Sequence, residues 1–335
     1  MDALEHVETT KMGKQSSLSY RFRRWAKRVA PPTLVGLARR PLKAIRSRIG
    51  ARSRRGEAML TREQLAHDLR QAGIADGDIV MVHTSLSKLG HVDGGAETVV
   101  SGLIDVVADR GTILMPCYNS ADQMIREMKR GRLIDLTRHP AVTGAVTECF
   151  RTWPGVLRSS HPFSSVCAWG AQAEFVTSGH ADRPEICHAA SPVGRLVELD
   201  GCVVGLGISI AQGLGVAHCV EDTTDDFPIE VHTQAFEVTY IDGHGEQITR
   251  EIRRYDPVVS ETRIDYPRGR WILERLTQHL VGKGILAEFR CGAADAWIMP
   301  ARPLYDELKR LATKGVTMYL TEEQLTDRNS DIENW

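Results

Sequence analysis

Two short apolar runs, Ile79-Val-Met-Val-His83 and Thr112-Ile-Leu-Met-Pro116, flank a segment that opens on Gly94-Gly95 and continues AETVVSGLIDVVADR. Runs this short and this apolar, bounded by glycine, are buried strands. The segment between them repeats its apolar residues at helical spacing. Strand, helix, strand in that order forces the two strands to be parallel neighbours in one sheet, with a right-handed crossover and the helix covering one face.

The rest of the chain extends this pattern. Thr61-Arg-Glu-Gln opens a helix, with Gln64 as the capping partner of Thr61 and Leu65 and Leu69 on its apolar face. Further apolar strands are predicted at Val166–Trp169 and at Cys202–Gly207. Residues 231–252 alternate in polarity around Asp242-Gly243, the signature of an antiparallel hairpin. Residues 271–283 and 301–313 read as amphipathic helices. The expected fold is an α/β protein, a three-layer α/β/α sandwich around a single mixed, mainly parallel sheet. Ligands in such sheets bind beyond the carboxyl ends of the strands. That rule brings together His83-Thr-Ser-Leu86, the loop at Met115-Pro-Cys-Tyr-Asn119 and the loop after Gly207.

Composition narrows the function classes. With 335 residues, 42% hydrophobic and 25% charged, the chain can bury a sizeable core. It holds no run of 18 uninterrupted apolar residues and its N-terminus lacks the pattern of a secretory signal, so a cytoplasmic protein is expected. Seven cysteines are widely spaced and never form C-x-x-C, which argues against a zinc knot or disulfide framework and for no metal. Charge is divided unevenly. Residues 1–56 hold 15 Lys or Arg and three acids (Asp2, Glu5, Glu8), whereas 57–335 hold 27 basic and 40 acidic residues. A basic arm, 1–56, therefore precedes an acidic domain, 57–335. The acidic domain argues against nucleic acid as partner and suits a cationic small molecule. Within the arm, residues 20–55 contain no acid, are cut by Pro31-Pro32 and Pro41, and carry a thin apolar stripe at Leu42, Ile45 and Ile49. Such a stripe among cations suits peripheral contact with an anionic membrane. A solvated tail, or an arm packed on a second subunit of a homodimer, is the alternative.

Three segments carry a resemblance. VHTSLSKLGHVDGGAETVV (82–100) resembles the strand–loop–helix opening of the aminoglycoside 3-N-acetyltransferase family. TGAVTECFRTWPGVLRSSHPFSSVCAWGAQA (143–173) is similar to that family's long central signature, with its R-S-x-H-P-x-x-S core at Arg158 to Ser164. SPVGRLVELDGCVVGLGI (191–208) followed by HCVED (218–222) resembles its last catalytic stretch. The resemblance covers roughly 60–310, with order and spacing preserved; the basic arm lies outside it.

The resemblance implies direct transfer of an acetyl group from acetyl-CoA, used as co-substrate, to an amine of an amino sugar. An amine must shed a proton to attack a thioester, and a base that titrates near neutrality does this best. His218 is implied as that base. Glu221, three residues on along a helix face, is placed to orient its imidazole. On the cofactor side the resemblance implies His83, Thr84, Ser85, Leu86, Gly94, Gly95 and His161. Glycine there lets backbone approach a ligand, and a helix start favours phosphate. His161 has a loop-orienting role as its alternative. Acceptor contacts are implied at Asp122, His188 and Asp256, while His67, His139 and His279 read as surface residues. Two departures lie on the acceptor side. Ala211-Gln-Gly-Leu-Gly-Val-Ala217 precedes His218 where relatives usually place a Ser or Thr, and HAASP (188–192) replaces a glycine-rich approach. Both put an unmodified aminoglycoside drug in doubt as acceptor. Two other readings stand beside this one: a ping-pong transferase with Cys219 or Cys167 as nucleophile, and a non-catalytic sugar- or CoA-binding relative.

Overall fold

The computed structural model describes residues 59–118, 121–265 and 270–321. The arm at 1–56, including the stretch 20–55 read as a membrane contact, lies outside them. The side chain of Asp122 does as well.

Helix α1 (Arg62–Gln71) starts where the Thr61 hydroxyl accepts from the Gln64 amide. It is followed by β1 (Ile79–Thr84), α2 (Ala96–Val107) and β2 (Thr112–Pro116), the predicted βαβ unit. Next come α3 (Ala121–Lys129), β3 (Ile134–Asp135), α4 (Ala145–Arg151), β4 (Leu157–Arg158), β5 (Val166–Gly170), α5 (Ala173–Thr177), α6 (Pro192–Glu198) and β6 (Cys202–Leu206). The chain continues through α7 (Gly215–Thr223), β7 (Phe236–Ile241), β8 (Gln247–Ile252), α8 (Pro257–Ser260) and α9 (Arg270–Gly282). It ends, within the described residues, with β9 (Ala287–Cys291), β10 (Ala294–Pro300) and α10 (Ala301–Ala312).

The large sheet runs β4-β5-β2-β1-β6-β10-β9. Its centre is parallel: Val80 pairs with Ile113 on one side and Cys202 on the other. Both flanks pair antiparallel, β5 on β2 and β10 on β6. Alternation along β1 divides the core. Val80 and Val82 pack with α1, α2 and α4 on one face, and Met81 packs toward α6, α7, α9 and α10 on the other. The expected three layers and mixed sheet are present.

One part of the expectation is corrected: the sheet is not single. The hairpin forms as predicted around Asp242, whose carboxylate accepts from the amides of His244 and Glu246. It pairs with β3 instead of extending the large sheet, giving a second sheet β3-β7-β8 with its own small core of Met124, Leu136, Phe163, Val238 and Tyr240. The β9–β10 hairpin was not foreseen, because residues 287–300 combine charge with only a weak alternation.

The central signature turns out to be a brace between the sheets. The buried Arg158 guanidinium donates to the carbonyls of Leu136 and His139 at 2.6 Å, to the carbonyl of Cys117 at 2.7 Å and to Ser165 Oγ at 2.9 Å. It ties the end of β2 to the loop that leaves the second sheet. A planar cation with five donors is suited to this, and each charged hydrogen bond of this kind contributes about 1.5–3 kcal/mol.

Candidate active site

At the carboxyl end of the parallel strands lies a cavity of about 610 Å³. Met81 and His83 of β1, Pro116 of β2 and Val166 at the start of β5 form part of its wall. His218 of α7 lines it together with Arg254, Tyr255, Pro257, Ser260, Arg263 and Asp265 from the segment around α8. The apolar body and few polar groups are what a small-molecule site requires.

His218 and Glu221 sit one turn apart on α7, and the structure brings them together: His218 Nδ1 lies 2.7 Å from Glu221 Oε2. A carboxylate can only accept, so Nδ1 carries the proton shared with Glu221. The Glu221 side chain is 1% exposed and the His218 side chain 20%. Tyr319 donates its hydroxyl to the same Glu221 Oε2 at 3.2 Å, fixing the carboxylate from outside the helix.

The imidazole is also gripped across its ring. Tyr255 stacks on it, with centroids 4.3 Å apart and planes at 32°. Arg263 Nη1 lies 2.8 Å from Nε2 and 3.4 Å from Nδ1. A donor placed out along the Nε2 lone pair would be much farther from Nδ1, so these two distances put the guanidinium over the ring face. Arg263 is held there by Asp265 Oδ1, 2.9 Å from its Nε. Burial disfavours the charge on Arg263, but Asp265, Tyr319 and Glu221 outweigh it and raise its pKa. The guanidinium is a fixed cation at the His218 ring.

Tyr255 belongs to a second histidine as well. His232 stacks on its other neighbour position, centroids 4.8 Å apart, and stands 3.1 Å from the buried Asp222. Asp222 accepts the Cys187 amide at 2.6 Å and faces the Tyr255 hydroxyl at 3.4 Å. Glu221 and Asp222, adjacent in sequence, thus anchor the His218 ring directly and through its stacking partner.

The other expected site residues are distributed as follows. His83 reaches the cavity, and burial pushes its imidazole down to about 4. Thr84, Ser85, Leu86, Gly94 and Gly95 are not among the described lining residues. They lead through a short 3₁₀ turn at Leu86–Lys88 to the start of α2. His161 is fully buried, and its Nδ1 accepts the amides of Phe163 and Ser164 at 3.3 and 3.1 Å. It stacks on His180 at 5.0 Å. His188 is also buried, its Nδ1 accepting the Ala190 amide at 3.2 Å. Both rings hold turns. Asp256 caps α8, its Oδ1 accepting from the amides of Val258 and Val259. His279, read as a surface residue, is paired with Glu307 at 2.5 Å and largely buried.

The acidic excess of the domain is not what faces the cavity. Among the described residues its charged lining is Arg254, Arg263 and Asp265, with His218. Arg263, Asp265, Tyr255 and Tyr319 were not read from the sequence. Arg263 and Tyr319 are brought beside the His218–Glu221 pair by an antiparallel contact in which Thr262 and Ile264 pair with Leu320 and Met318, segments far apart in the chain.

Neither cysteine alternative fits a nucleophile. Cys219 is buried and its thiol is pushed up to about 12. Cys167 is held well above the ordinary thiol value by its contact with Cys117 and by burial. Only the thiolate attacks, and these sites disfavour it.

Comparison with known proteins identifies the family. The family described as Aminoglycoside 3-N-acetyltransferase matches residues 81–313. Aminoglycoside N(3)-acetyltransferase IX of Micromonospora chalcea is 32% identical over 267 residues, 74% of this chain and 91% of that protein. Aminoglycoside N(3)-acetyltransferase VII of Streptomyces paromomycinus is 33% identical over 278 residues, 76% of this chain and 91% of that protein. Among solved structures, aminoglycoside acetyltransferase AAC(3)-Xa superposes with a TM-score of 0.68 at 27% identity, over 82% of this chain and 99% of its own. The binary complex of AAC-IIIb with CoASH gives 0.66 at 27% identity, over 79% and 100%. The chain belongs to the aminoglycoside 3-N-acetyltransferase family.

Proposed function

We propose that this acetyl-CoA-dependent N-acetyltransferase passes its acetyl group directly to an amine of an amino sugar, with His218 as general base and Glu221 as its orienting partner. The observation that carries the reading is the His218 Nδ1–Glu221 Oε2 contact of 2.7 Å at the wall of the cavity. It fixes the proton on Nδ1 and directs the basic nitrogen away from the helix. A neutral imidazole takes the proton that the amine loses as it attacks the thioester carbon, and Glu221 stabilises the imidazolium so formed.

A cavity of about 610 Å³ suits the pantetheine arm and one sugar ring together. The apolar lining from Met81, Pro116, Val166 and Leu214 suits the former, and the polar groups around Arg254 and Ser260 suit the latter. The names of the relatives favour an aminoglycoside-like acceptor. A biosynthetic amino sugar is consistent with the altered loops at 188–192 and 211–217. Free thiols at the described cysteines fit a reducing, cytoplasmic setting.

The test is a thiol-release assay with acetyl-CoA over a panel of aminoglycosides and amine-bearing nucleotide sugars. With the acceptor so found, His218→Asn should lower turnover roughly 10²–10⁴-fold, the usual worth of general-base catalysis, and leave acetyl-CoA affinity unchanged. Wild-type turnover in folded His218→Asn would remove His218 from the role. No thiol release with any amine would leave the non-catalytic binding relative as the reading.

A further inference from the structure

A permanent cation lies over the face of the base. That position has a cost. When His218 takes a proton, imidazolium and guanidinium are like charges 2.8 Å apart, each already faced by one carboxylate, Glu221 and Asp265. The arrangement gains in the transition state wherever a further negative charge forms beside both at the same moment. In acyl transfer one does. The amine nitrogen bonds to the thioester carbon, the carbonyl π pair moves onto oxygen, and the proton goes from nitrogen to Nε2. The tetrahedral oxygen is then an anion within a few bond lengths of Nε2. The second stage reverses this: oxygen returns its pair, the C–S bond breaks, and the CoA sulfur leaves with the electrons and recovers the proton from His218.

We propose, resting on the reading of His218 as base, that Arg263 is a further catalytic residue of this reaction. Its guanidinium binds the thioester carbonyl oxygen and carries the negative charge of the tetrahedral intermediate. Three observations support it. Arg263 lines the cavity and touches the base. Asp265 and the ring of Tyr319 hold it in place before substrate arrives, so little reorganisation is needed. The loop 211–217 leading to His218 carries no Ser or Thr hydroxyl, so its own donors are neutral amides and Arg263 is the cation nearest the base.

A purely structural clamp would have the same contacts, so the test separates the two. Turnover of Arg263→Gln and Arg263→Lys is measured in the full chain. So is binding of two inert acetyl-CoA analogues: the ketone in which CH₂ replaces the thioester sulfur, and the S-ethyl thioether, which lacks the oxygen. Arg263→Gln should lose about 10²–10³-fold in kcat, the typical cost of one oxyanion donor, with little change in the KM for acceptor. The preference for ketone over thioether should vanish. Arg263→Lys, which keeps the charge but not the planar fork, should fall between Gln and wild type on both measures. Unchanged kcat in folded Arg263→Gln overturns the proposal. Equal weakening of both analogues also overturns it, since that marks a distorted site. Should Arg263→Gln fail to fold, Arg263→Lys with a native melting temperature decides, and wild-type kcat and ketone preference in it would overturn the proposal. His218→Asn is run alongside. It should lower turnover while keeping the ketone preference, so failure of the base assignment and failure of the Arg263 assignment give different patterns.

Discussion

His180 was not singled out by any motif, yet both of its ring nitrogens are engaged in the buried interior. Its Nδ1 accepts from Ser159 Oγ at 2.8 Å, and its Nε2–H donates to the Ile186 carbonyl at 2.8 Å. With no room for a second proton, burial pushes its pKa from 6.5 down to about 3. His161 is held well below the usual value chiefly by burial, and also by His180 and His188. The consequence follows from linkage. Below pH 6.5 the unfolded chain takes up protons that the folded chain refuses, so stability falls as pH falls toward the folded value. At pH 5 His180 alone should cost about 2 kcal/mol, taking about 1.4 kcal/mol per unit. Urea midpoints measured at pH 7 and pH 5 should show the loss. His180→Gln, which can make both hydrogen bonds without titrating, should show less of it. An identical pH dependence in the variant would place the acid sensitivity elsewhere. The sequence revealed H-P-x-x-S as a motif but not this use, because a histidine's role depends on what meets its second nitrogen.

Between strand and helix the decisive contact is a tryptophan slot. Trp297 of β10 lies against Gly205 of β6 and Gly213, just ahead of α7. A Cβ at Gly205 would come within 2.1 Å of the indole, and one at Gly213 within 2.0 Å. The indole N–H donates to the Ile208 carbonyl at 3.0 Å, so Trp297 pins the loop that delivers His218. Gly213→Ala must displace that loop. It should destabilise the protein by about 1–3 kcal/mol, the usual cost of overpacking, and lower turnover as well. Calorimetric melting and the thiol-release assay on the same sample would show both, and a native melting point with native turnover would refute the pinning role. Gly95 behaves differently. It caps the start of α2 at φ 63°, ψ −127°, where an L side chain is strained, although nothing lies within 4 Å of its would-be Cβ. Gly95→Ala should therefore cost about 1–3 kcal/mol through backbone strain alone. Urea denaturation of the apo protein would register it before any effect on CoA is considered. The Gly94-Gly95 pair was legible as a helix start; its distance from the cavity lining was not.

For the whole chain, the basic arm and the catalytic domain are separable in composition, and we expect them to be separable in function. Deleting residues 1–56 should leave an active enzyme whose binding to vesicles containing anionic lipid is reduced. Co-sedimentation with such vesicles, beside the turnover of the shortened chain, measures both. Loss of folding on deletion would show that the arm belongs to the domain. Among the described residues no helix is long and apolar enough to cross a membrane.

Local pattern determined much of this protein. Burial on a strand repeats every second residue and burial on a helix every 3.6 residues. One-dimensional periodicity therefore placed β1, α2, β2, β6, the β7–β8 hairpin and α10 close to their observed bounds. His218 and Glu221 stood out only through the family resemblance of HCVED (218–222); their spacing of three then puts them on one helix face, where they meet. Tertiary structure decided the pairings that periodicity does not encode. Nothing local in the hairpin says that it joins β3 and leaves the large sheet to β10 and β9. Nothing near His218 announces Arg263, Asp265 or Tyr319, which arrive through a short antiparallel contact between 262–264 and 318–320. The sequence alone put His218 and Glu221 three residues apart on one helix face, while the cation over the ring depends on a long-range contact that exists only once the chain has folded.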